Sequence, residues 1–237
     1  MRNYEFSDLG RLGWARAFEI QQELVARRKA GEIADQLLIV EHPHVVTVGR
    51  NGHEENLLAS PEVLLRTGID LHRTDRGGDV TYHGPGQIVG YPILDLRDWK
   101  RDVGAYVRAI EQMLIDTLAD FGISAVREPW LTGVWTQGAK IAAIGVHLSR
   151  WVTSHGFALN VTTDLQYFGY IVPCGLTKPV TSMRQLGIDA SRQDVIGRLR
   201  WHFEEIFGFE HTGGLDVLQL PGAPQLPRPY NRMGEFE

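Results

Sequence analysis

The chain has 237 residues, of which 43% are hydrophobic and 22% are charged, and this composition is typical of a globular protein and excludes collagenous, coiled-coil and disordered chains. A single core of this size can bury roughly 70–75% of the surface that the unfolded chain exposes, so the fold requires neither a disulfide nor a metal. The 24 basic and 29 acidic residues give a net charge of −5, which argues against general nucleic-acid binding because that function requires a basic face.

The first hundred residues predict one long helix followed by short strands. Apolar residues at helical spacing predict a helix over residues 9–28, and Gly31 ends it. Residues 36–41 and 45–48 are short, β-branched and apolar, and they predict two strands around a turn. Three further elements are predicted: a short helix from Pro61 to about Gly68 and strands over residues 71–74 and 87–96.

The rest of the chain predicts two more helices around a meander. The clearest helix covers residues 103–121 and ends at Gly122. The remaining predicted elements are strands at 124–127, 133–136, 140–148 and 153–161 and a helix at 192–207. Helices and strands are mixed without regular alternation, which predicts an α/β fold with a mixed sheet flanked by helices. We expect a single domain over residues 1–212 and a loosely ordered Pro/Gly-rich tail over residues 213–237.

Two features of the sequence bear on its cellular compartment. Residues 1–10 contain no apolar core of a signal peptide, and no apolar run reaches the ~18 residues that a membrane span requires. We therefore expect a cytoplasmic protein without a membrane partner. The single cysteine, Cys174, cannot form an internal disulfide, which is typical of a reducing compartment. Composition alone favours a buried Cys174 over a reactive one.

A glycine-rich segment covers residues 76–87, with the sequence RGGDVTYHGPGQ, and directly precedes a predicted strand. Glycines expose backbone N–H groups and let a ligand approach the main chain closely. The segment lacks the Gly-Lys-Ser/Thr of a P-loop and does not fit Gly-x-Gly-x-x-Gly leading into a helix, so the nucleotide-binding fingerprints are absent. It forms either a ligand-binding loop or two tight turns without a ligand.

A lysine and the cysteine are the next candidates for chemistry. Lys140 opens a strand of small residues and lies either in solvent or at the rim of a pocket. Pro173 and Gly175 place Cys174 in a turn, where its sulfur can face a cleft. A nucleophilic thiol requires a nearby cation, because an unperturbed cysteine is mostly protonated at neutral pH. The candidate cations are Lys140, Lys178 and a protonated His83.

The histidines do not predict a metal site. His42, His44, His53, His72 and His83 show no helical i, i+4 spacing, and there is no second cysteine for a structural zinc site. A Cys–His protease arrangement is possible. The indication is weak, because a chain with nine histidines contains some Cys–His combination in any case. A structural role is favoured for His155, the histidine that precedes residues 156–160, over a place in a pocket wall.

Four segments, in this order and at these separations, resemble the lipoate-biosynthesis octanoyltransferases (lipoyl(octanoyl) transferases). They are residues 76–87, 140–145 (KIAAIG), 155–160 (HGFALN) and 173–175 (PCG). Glu41, His42 and Pro43 with Thr47, Gly49 and Arg50 also fit that family, so the resemblance runs from about residue 5 to residue 207. One departure is His147, at a position where the family commonly has another basic residue.

The resemblance implies a fold like the catalytic domain of biotin and lipoate protein ligases. It implies an acyltransferase that moves octanoyl from octanoyl-acyl carrier protein to a lysine of lipoyl domains in 2-oxoacid dehydrogenases and the glycine cleavage H protein. Cys174 would form an acyl-cysteine thioester, and Lys140 would favour its thiolate and relay a proton. No cofactor, metal or nucleic acid is implied. The substrate-binding residues implied are Arg76, Gly77, Gly78, Asp79, Val80, Thr81, Tyr82, His83, Ala143, Ile144, Gly145, Gly156, Phe157 and Ala158.

Two alternatives are weighed against this interpretation. An ATP-dependent lipoate or biotin protein ligase on the same fold would not need Cys174. A non-catalytic ligand-binding relative would have no reason to retain both Cys174 and Lys140. Because acyl carrier proteins and lipoyl domains are acidic, we also expect a basic rim around the cleft, with Arg50, Arg76 and Lys178 as its candidates.

Overall fold

A computed structural model describes residues 2–172 and 178–211, and the structural statements below refer to these residues. Their strands are β1 (Arg2–Arg11), β2 (Asp35–Glu41), β3 (Val45–Val48), β4 (Asp70–Arg73), β5 (Val80–His83), β6 (Gln87–Ile93), β7 (Val126–Glu128), β8 (Leu131–Thr136), β9 (Ala139–Ser149), β10 (Val152–Asn160) and β11 (Phe209–His211). Their α-helices are α1 (Trp14–Ala30), α2 (Pro61–Thr67), α3 (Val103–Asp120) and α4 (Arg192–Phe207). Short 3-10 helices cover Glu54–Asn56, Leu165–Tyr170 and Arg184–Leu186.

The strands form one large and one small sheet. The large sheet has eight strands in the order β11-β1-β2-β6-β10-β9-β8-β7, and the small sheet has the order β4-β3-β5. In the large sheet β1 runs parallel to both β2 and β11, whereas the other pairs are antiparallel. The predicted mixed sheet flanked by helices is confirmed.

The helices cover both faces of the large sheet. Along β2, Leu37 and Ile39 pack against α3 and α4, whereas Leu38 and Val40 pack against α1. This division follows from the alternation of side chains along a strand. A third apolar cluster joins the small sheet to α2 and to Leu165–Tyr170. The central strands are therefore buried on both faces, and they carry the motif residues on a rigid support.

Several helix ends are where the sequence predicted them. Gly31 ends α1 with a left-handed φ of +76°, and Gly122 follows α3 with a φ of +75°. Ser191 caps α4 by accepting the backbone N–H of Asp194. No helix in the described part of the chain is long and apolar enough to cross a membrane.

The N-terminal prediction was wrong in part. The predicted helix over residues 9–28 begins only at Trp14, because Arg2–Arg11 form β1. Tyr4, Phe6 and Leu9 of this strand are buried, and pairing with β2 and β11 determines its conformation. Strand β5 within the glycine-rich segment was also not predicted. The tail predicted at residues 213–237 lies outside the described residues.

Asp35, at the start of β2, provides a test of the packing at this end of the sheet. Its Oδ1 accepts hydrogen bonds from the Asp95 backbone N–H and from Arg28 Nε, both at 2.8 Å, and its Oδ2 accepts one from Arg2 at 2.6 Å. Because Asp35→Ala would leave these donors without their acceptor, we expect it to lower the free energy of unfolding by about 3 kcal/mol. Urea denaturation followed by circular dichroism measures this change.

The matched control is Glu19→Ala, which removes an exposed carboxylate that pairs with Arg16 at 2.9 Å. This substitution should change the free energy of unfolding by less than about 0.5 kcal/mol. Equal losses in the two variants would contradict a special role for Asp35.

Candidate active site

A cleft lies between the glycine-rich segment and the paired strands β9 and β10. On its strand side, Ala143–Gly145 of β9 pair with Gly156–Ala158 of β10. The lining residues are Trp14, Arg76, Gly77, Gly78, Thr81, His83, Val89, Tyr91, Ala143, Ile144, Gly145, His155, Gly156, Phe157 and Ala158. The cleft encloses about 40 Å³. A ligand larger than this space would require the walls of the cleft to separate.

Glycines allow the walls to approach each other this closely. The Gly77 N–H donates to the Val146 oxygen at 2.9 Å, which places the segment directly on β9. A Cβ atom at Gly145 would lie 2.9 Å from the Gly77 oxygen, and one at Gly156 would lie 2.6 Å from Cδ of Pro92. A larger residue at position 145 would therefore push the segment off the sheet, whereas one at position 156 would clash with β6.

All but three of the predicted substrate-binding residues line the cleft. The three exceptions are Asp79, Val80 and Tyr82. Val80 and Tyr82 point to the opposite side of β5 from Thr81 and pack into the core of the small sheet. Because side chains alternate along a strand, a continuous run of β5 residues cannot line one wall of the cleft.

Asp79 connects the glycine-rich segment to the chain that precedes Cys174. Its carboxylate accepts a hydrogen bond from the His53 backbone N–H at 2.9 Å and another from the side-chain amide of Asn56. The backbone oxygen of Asn56 in turn accepts the N–H of Val172 at 2.7 Å. Val172 is the last described residue before residues 173–177, so Cys174 lies outside the described residues.

Arg76 is an internal anchor of the glycine-rich segment. Its guanidinium donates to the backbone oxygens of Thr47, Asp79 and Gly77 at 2.6, 2.8 and 3.1 Å, and also to Oγ1 of Thr47. Only 7% of Arg76 is exposed. The expectation that Arg76 forms part of a basic rim is therefore wrong, because its donors are bound to buried backbone.

His83 is buried and uncharged at neutral pH. Burial and the neighbouring His42 lower the pKa of His83 to about 3. Its Nδ1 donates to Oε1 of Gln87 at 2.7 Å, so its Nε2 carries no proton. The hypothesis that a protonated His83 is the cation beside Cys174 is therefore wrong.

A chain of hydrogen bonds joins His83 to Lys140. Beyond Gln87, the side chain of Asn160 accepts from Nε2 of Gln87 at 2.9 Å and donates to the Thr181 oxygen at 3.0 Å. The Thr181 N–H donates to the Lys140 oxygen at 2.9 Å. Gln87 and Asn160 were not predicted as site residues, although each ends one of the four motif segments.

Lys140 lies at the start of β9, beside the chain that follows Cys174. Its backbone N–H donates to the Pro179 oxygen at 2.9 Å, and only 7% of the residue is exposed. Its Nζ lies 4.8 Å from the centroid of the Trp135 ring, and Nζ of Lys178 lies 5.1 Å from the same centroid. Lys178 also pairs with Glu128 at 2.9 Å. A carboxylate thus offsets the charge of Lys178.

The described residues contain no group of three or more His, Cys, Asp or Glu side chains that could hold a metal ion.

The chain is similar to a protein-family model and to proteins of known name. A family model described as the lipoyl protein ligase A/B catalytic domain matches residues 14–204. A protein from Solibacter usitatus named octanoyltransferase is 66% identical over 223 residues, which cover 94% of this chain and 98% of that protein. An octanoyltransferase from Koribacter versatilis is 53% identical and covers 93% of this chain and 91% of its own.

Solved structures show the same fold at low sequence identity. A bi-partite lipoate protein ligase from Thermoplasma acidophilum, described with its E2 lipoyl domain, has a TM-score of 0.74 and 18% identity, and the match covers 91% of this chain and 89% of that one. Lipoate-protein ligase A bound with ATP has a TM-score of 0.73 and 18% identity, with 91% and 90% of the two chains covered. A biotin protein ligase from Aquifex aeolicus has a TM-score of 0.54 and 12% identity, with 88% and 71% covered.

The buried histidines predict a loss of stability in mild acid. Burial lowers the pKa of His42 to about 4 and that of His83 to about 3, whereas an unfolded histidine titrates near 6.5. Between pH 6.5 and 4 the unfolded chain therefore binds protons that the native state does not, and the free energy of unfolding falls as the pH falls. The two residues contribute up to about 2.7 kcal/mol per pH unit.

Urea denaturation at several pH values measures this slope. In His83→Gln, whose amide does not titrate, the slope should decrease by about 1.4 kcal/mol per pH unit. A slope equal to that of the unmodified chain would show that His83 titrates normally in the folded protein.

Proposed function

Since this chain belongs to the lipoyl protein ligase A/B catalytic-domain family and is an octanoyltransferase of protein lipoylation, we propose that it works through an acyl-cysteine. The donor is octanoyl-acyl carrier protein, and the acceptor is a lysine of a lipoyl domain. The observation that carries the proposal is the attachment of Lys140 to residues 179–181, immediately after the segment that contains Cys174. The single cysteine is typical of a reducing compartment, and we place the reaction in the cytoplasm.

The first half-reaction exchanges one thioester for another. The Cys174 thiolate attacks the octanoyl carbonyl, a new C–S bond forms, and the bond to the sulfur of the carrier breaks. The departing thiolate then takes up a proton. An ammonium beside Cys174 favours its thiolate by charge, and Lys140 supplies that ammonium. Support comes from the short connection along the chain: Cys174 is two residues after Val172 and five before Pro179, and both of these residues are hydrogen bonded to the site.

The second half-reaction forms the amide. The amine of the acceptor lysine attacks the acyl-cysteine carbonyl, a C–N bond forms, and the C–S bond to Cys174 breaks. Lys140 passes the proton of the amine to the departing sulfur. An amide is more stable than a thioester, so the transfer needs no nucleotide.

The cleft holds the acyl chain in this proposal. Its small and apolar walls, among them Ala143, Phe157 and Ala158, suit a saturated hydrocarbon. The Gly77 N–H already donates to Val146, so the oxyanion that develops on the carbonyl must find its donors elsewhere.

ATP-dependent ligation is the competing activity, because a relative with this fold is described with bound ATP. The glycine-rich segment of this chain lacks the nucleotide-binding fingerprints, which favours transfer from a thioester.

A reaction without nucleotide separates the two activities. Pure protein mixed with octanoyl-acyl carrier protein and unmodified lipoyl domain should octanoylate the lipoyl domain without ATP. Without the acceptor, mass spectrometry of the intact protein should detect one octanoyl adduct, absent after hydroxylamine treatment and absent in Cys174→Ala. Strict dependence on ATP, or an adduct that persists in Cys174→Ala, would overturn the proposal.

Two substitutions at Lys140 separate its two roles. Lys140→Ala removes the charge, so the pH at which iodoacetamide labels Cys174 should rise by about one unit or more. Lys140→Arg keeps the charge but cannot give up a proton. It should therefore retain labelling close to that of the unmodified protein but lose at least about tenfold in transfer to the lipoyl domain. Identical labelling profiles in all three proteins would remove Lys140 from thiol activation.

A further inference from the structure

A second cavity, of about 610 Å³, lies between α1 and the far ends of β9 and β10. Its lining residues are Phe18, Gln21, Gln22, Val25, Ala26, Lys29, Ala30, Asp75, His147, Ser149, Arg150 and Ser154. Along β9, this second cavity is at the opposite end from Lys140, and the cleft lies between the two. The proposed chemistry makes no use of it.

An aromatic barrier, made of Trp14, Phe18 and His155, separates the cleft from the second cavity. Trp14 and His155 face the cleft, whereas Phe18 faces the second cavity. The Phe18 ring stacks on both, with centroid distances of 4.9 Å to Trp14 and 5.4 Å to His155. Removal of the Phe18 ring would therefore take away the layer behind Trp14 and His155.

His155 holds its place in the barrier through several contacts. It has a left-handed φ of +56° within a strand, which is uncommon for a residue other than glycine. Its backbone N–H donates to Oε1 of Gln21 at 2.9 Å, and its Nε2 donates to Oδ1 of Asp75 at 2.7 Å. These contacts keep the imidazole ring across the end of the cleft.

The length of the cleft matches a medium-length acyl chain. Its wall on β10 runs from Ala158 to His155, which is three residue steps or roughly 10 Å at 3.3 Å per residue. An extended eight-carbon chain, with C–C bonds of about 1.5 Å, spans roughly 9 Å. A chain whose carbonyl lies at the Lys140 end would bring its last carbon to the aromatic barrier.

We propose that the aromatic barrier sets the chain-length limit of the acyl site, and that the second cavity behind it is a latent extension of that site. The inference rests on the proposed function, because it takes the cleft as the acyl site with the carbonyl toward Lys140. Ala26 and Ala30 give the second cavity an apolar wall on α1, against which additional methylene groups would pack.

Binding of free fatty acids tests the barrier separately from catalysis. Isothermal titration calorimetry would measure the Kd of octanoate and dodecanoate for the unmodified protein, for Phe18→Ala and for Val25→Ala. We expect the unmodified protein to prefer octanoate. In Phe18→Ala, the ratio of dodecanoate Kd to octanoate Kd should fall by at least about tenfold, because four more methylene groups gain a buried site.

Val25→Ala is the matched control, since it truncates an α1 residue in the same cavity but outside the barrier. It should leave the ratio unchanged. Circular dichroism and a thermal melt establish that both variants are folded, and Phe18→Leu supplies a milder truncation if Phe18→Ala is not. An unchanged ratio in a folded Phe18 variant, or an equal change in Val25→Ala, would overturn the inference.

Transfer assays with octanoyl- and dodecanoyl-acyl carrier protein complete the test. A protein that binds fatty acids with the expected ratios but transfers no acyl group would refute the proposed function and leave the barrier standing. Transfer of octanoyl with an unchanged Kd ratio in Phe18→Ala would refute the barrier and leave the proposed function standing.

Discussion

The site depends on the burial of a single guanidinium. Arg76 binds the backbone oxygens of Thr47, Asp79 and Gly77 at once, and a buried charge is tolerated only when its donors are satisfied in this way. These bonds join β3 of the small sheet to the glycine-rich segment, which in turn lies on β9 through Gly77. The cleft therefore lies between the small sheet and the large sheet, and Arg76 fixes the position of the segment that forms one of its walls.

The sequence locates the walls of the cleft best where a short run of residues lies on one strand, as on β9 and β10. Residues 143–145 and 156–158 line the cleft because they lie opposite each other on the paired strands β9 and β10, and their role in binding stays a prediction. Side chains alternate along β5, so Val80 and Tyr82 do not share the cleft-facing side of Thr81, and Asp79, which precedes β5, binds His53 and Asn56 instead. The barrier was not foreseen, because Phe18 and His155 come together only through the packing of α1 on β10.

The elements of the fold were likewise predicted best where local sequence determines them. α3 and its stop at Gly122 follow from a local period and a local cap, and the helix ends within one residue of the prediction. The predicted N-terminal helix wrongly included residues 9–13, since Leu9 and Leu12 fit the 3.6-residue period of a helix although Leu9 belongs to a strand. Only distant partners, β2 and β11, decide for a strand over Arg2–Arg11.

The parallel pairing of β1 with β11 has a consequence for how the chain folds. The first strand of the protein takes one of its neighbours from Phe209–His211, near the end of the described residues. On the ribosome, β1 can pair with β2 early, but its outer edge stays open until almost the whole domain has emerged. Such a contact between residues far apart in the sequence raises the contact order and slows the last step of assembly. During synthesis, the unpaired edge of β1 is therefore a surface that can pair with another chain and aggregate.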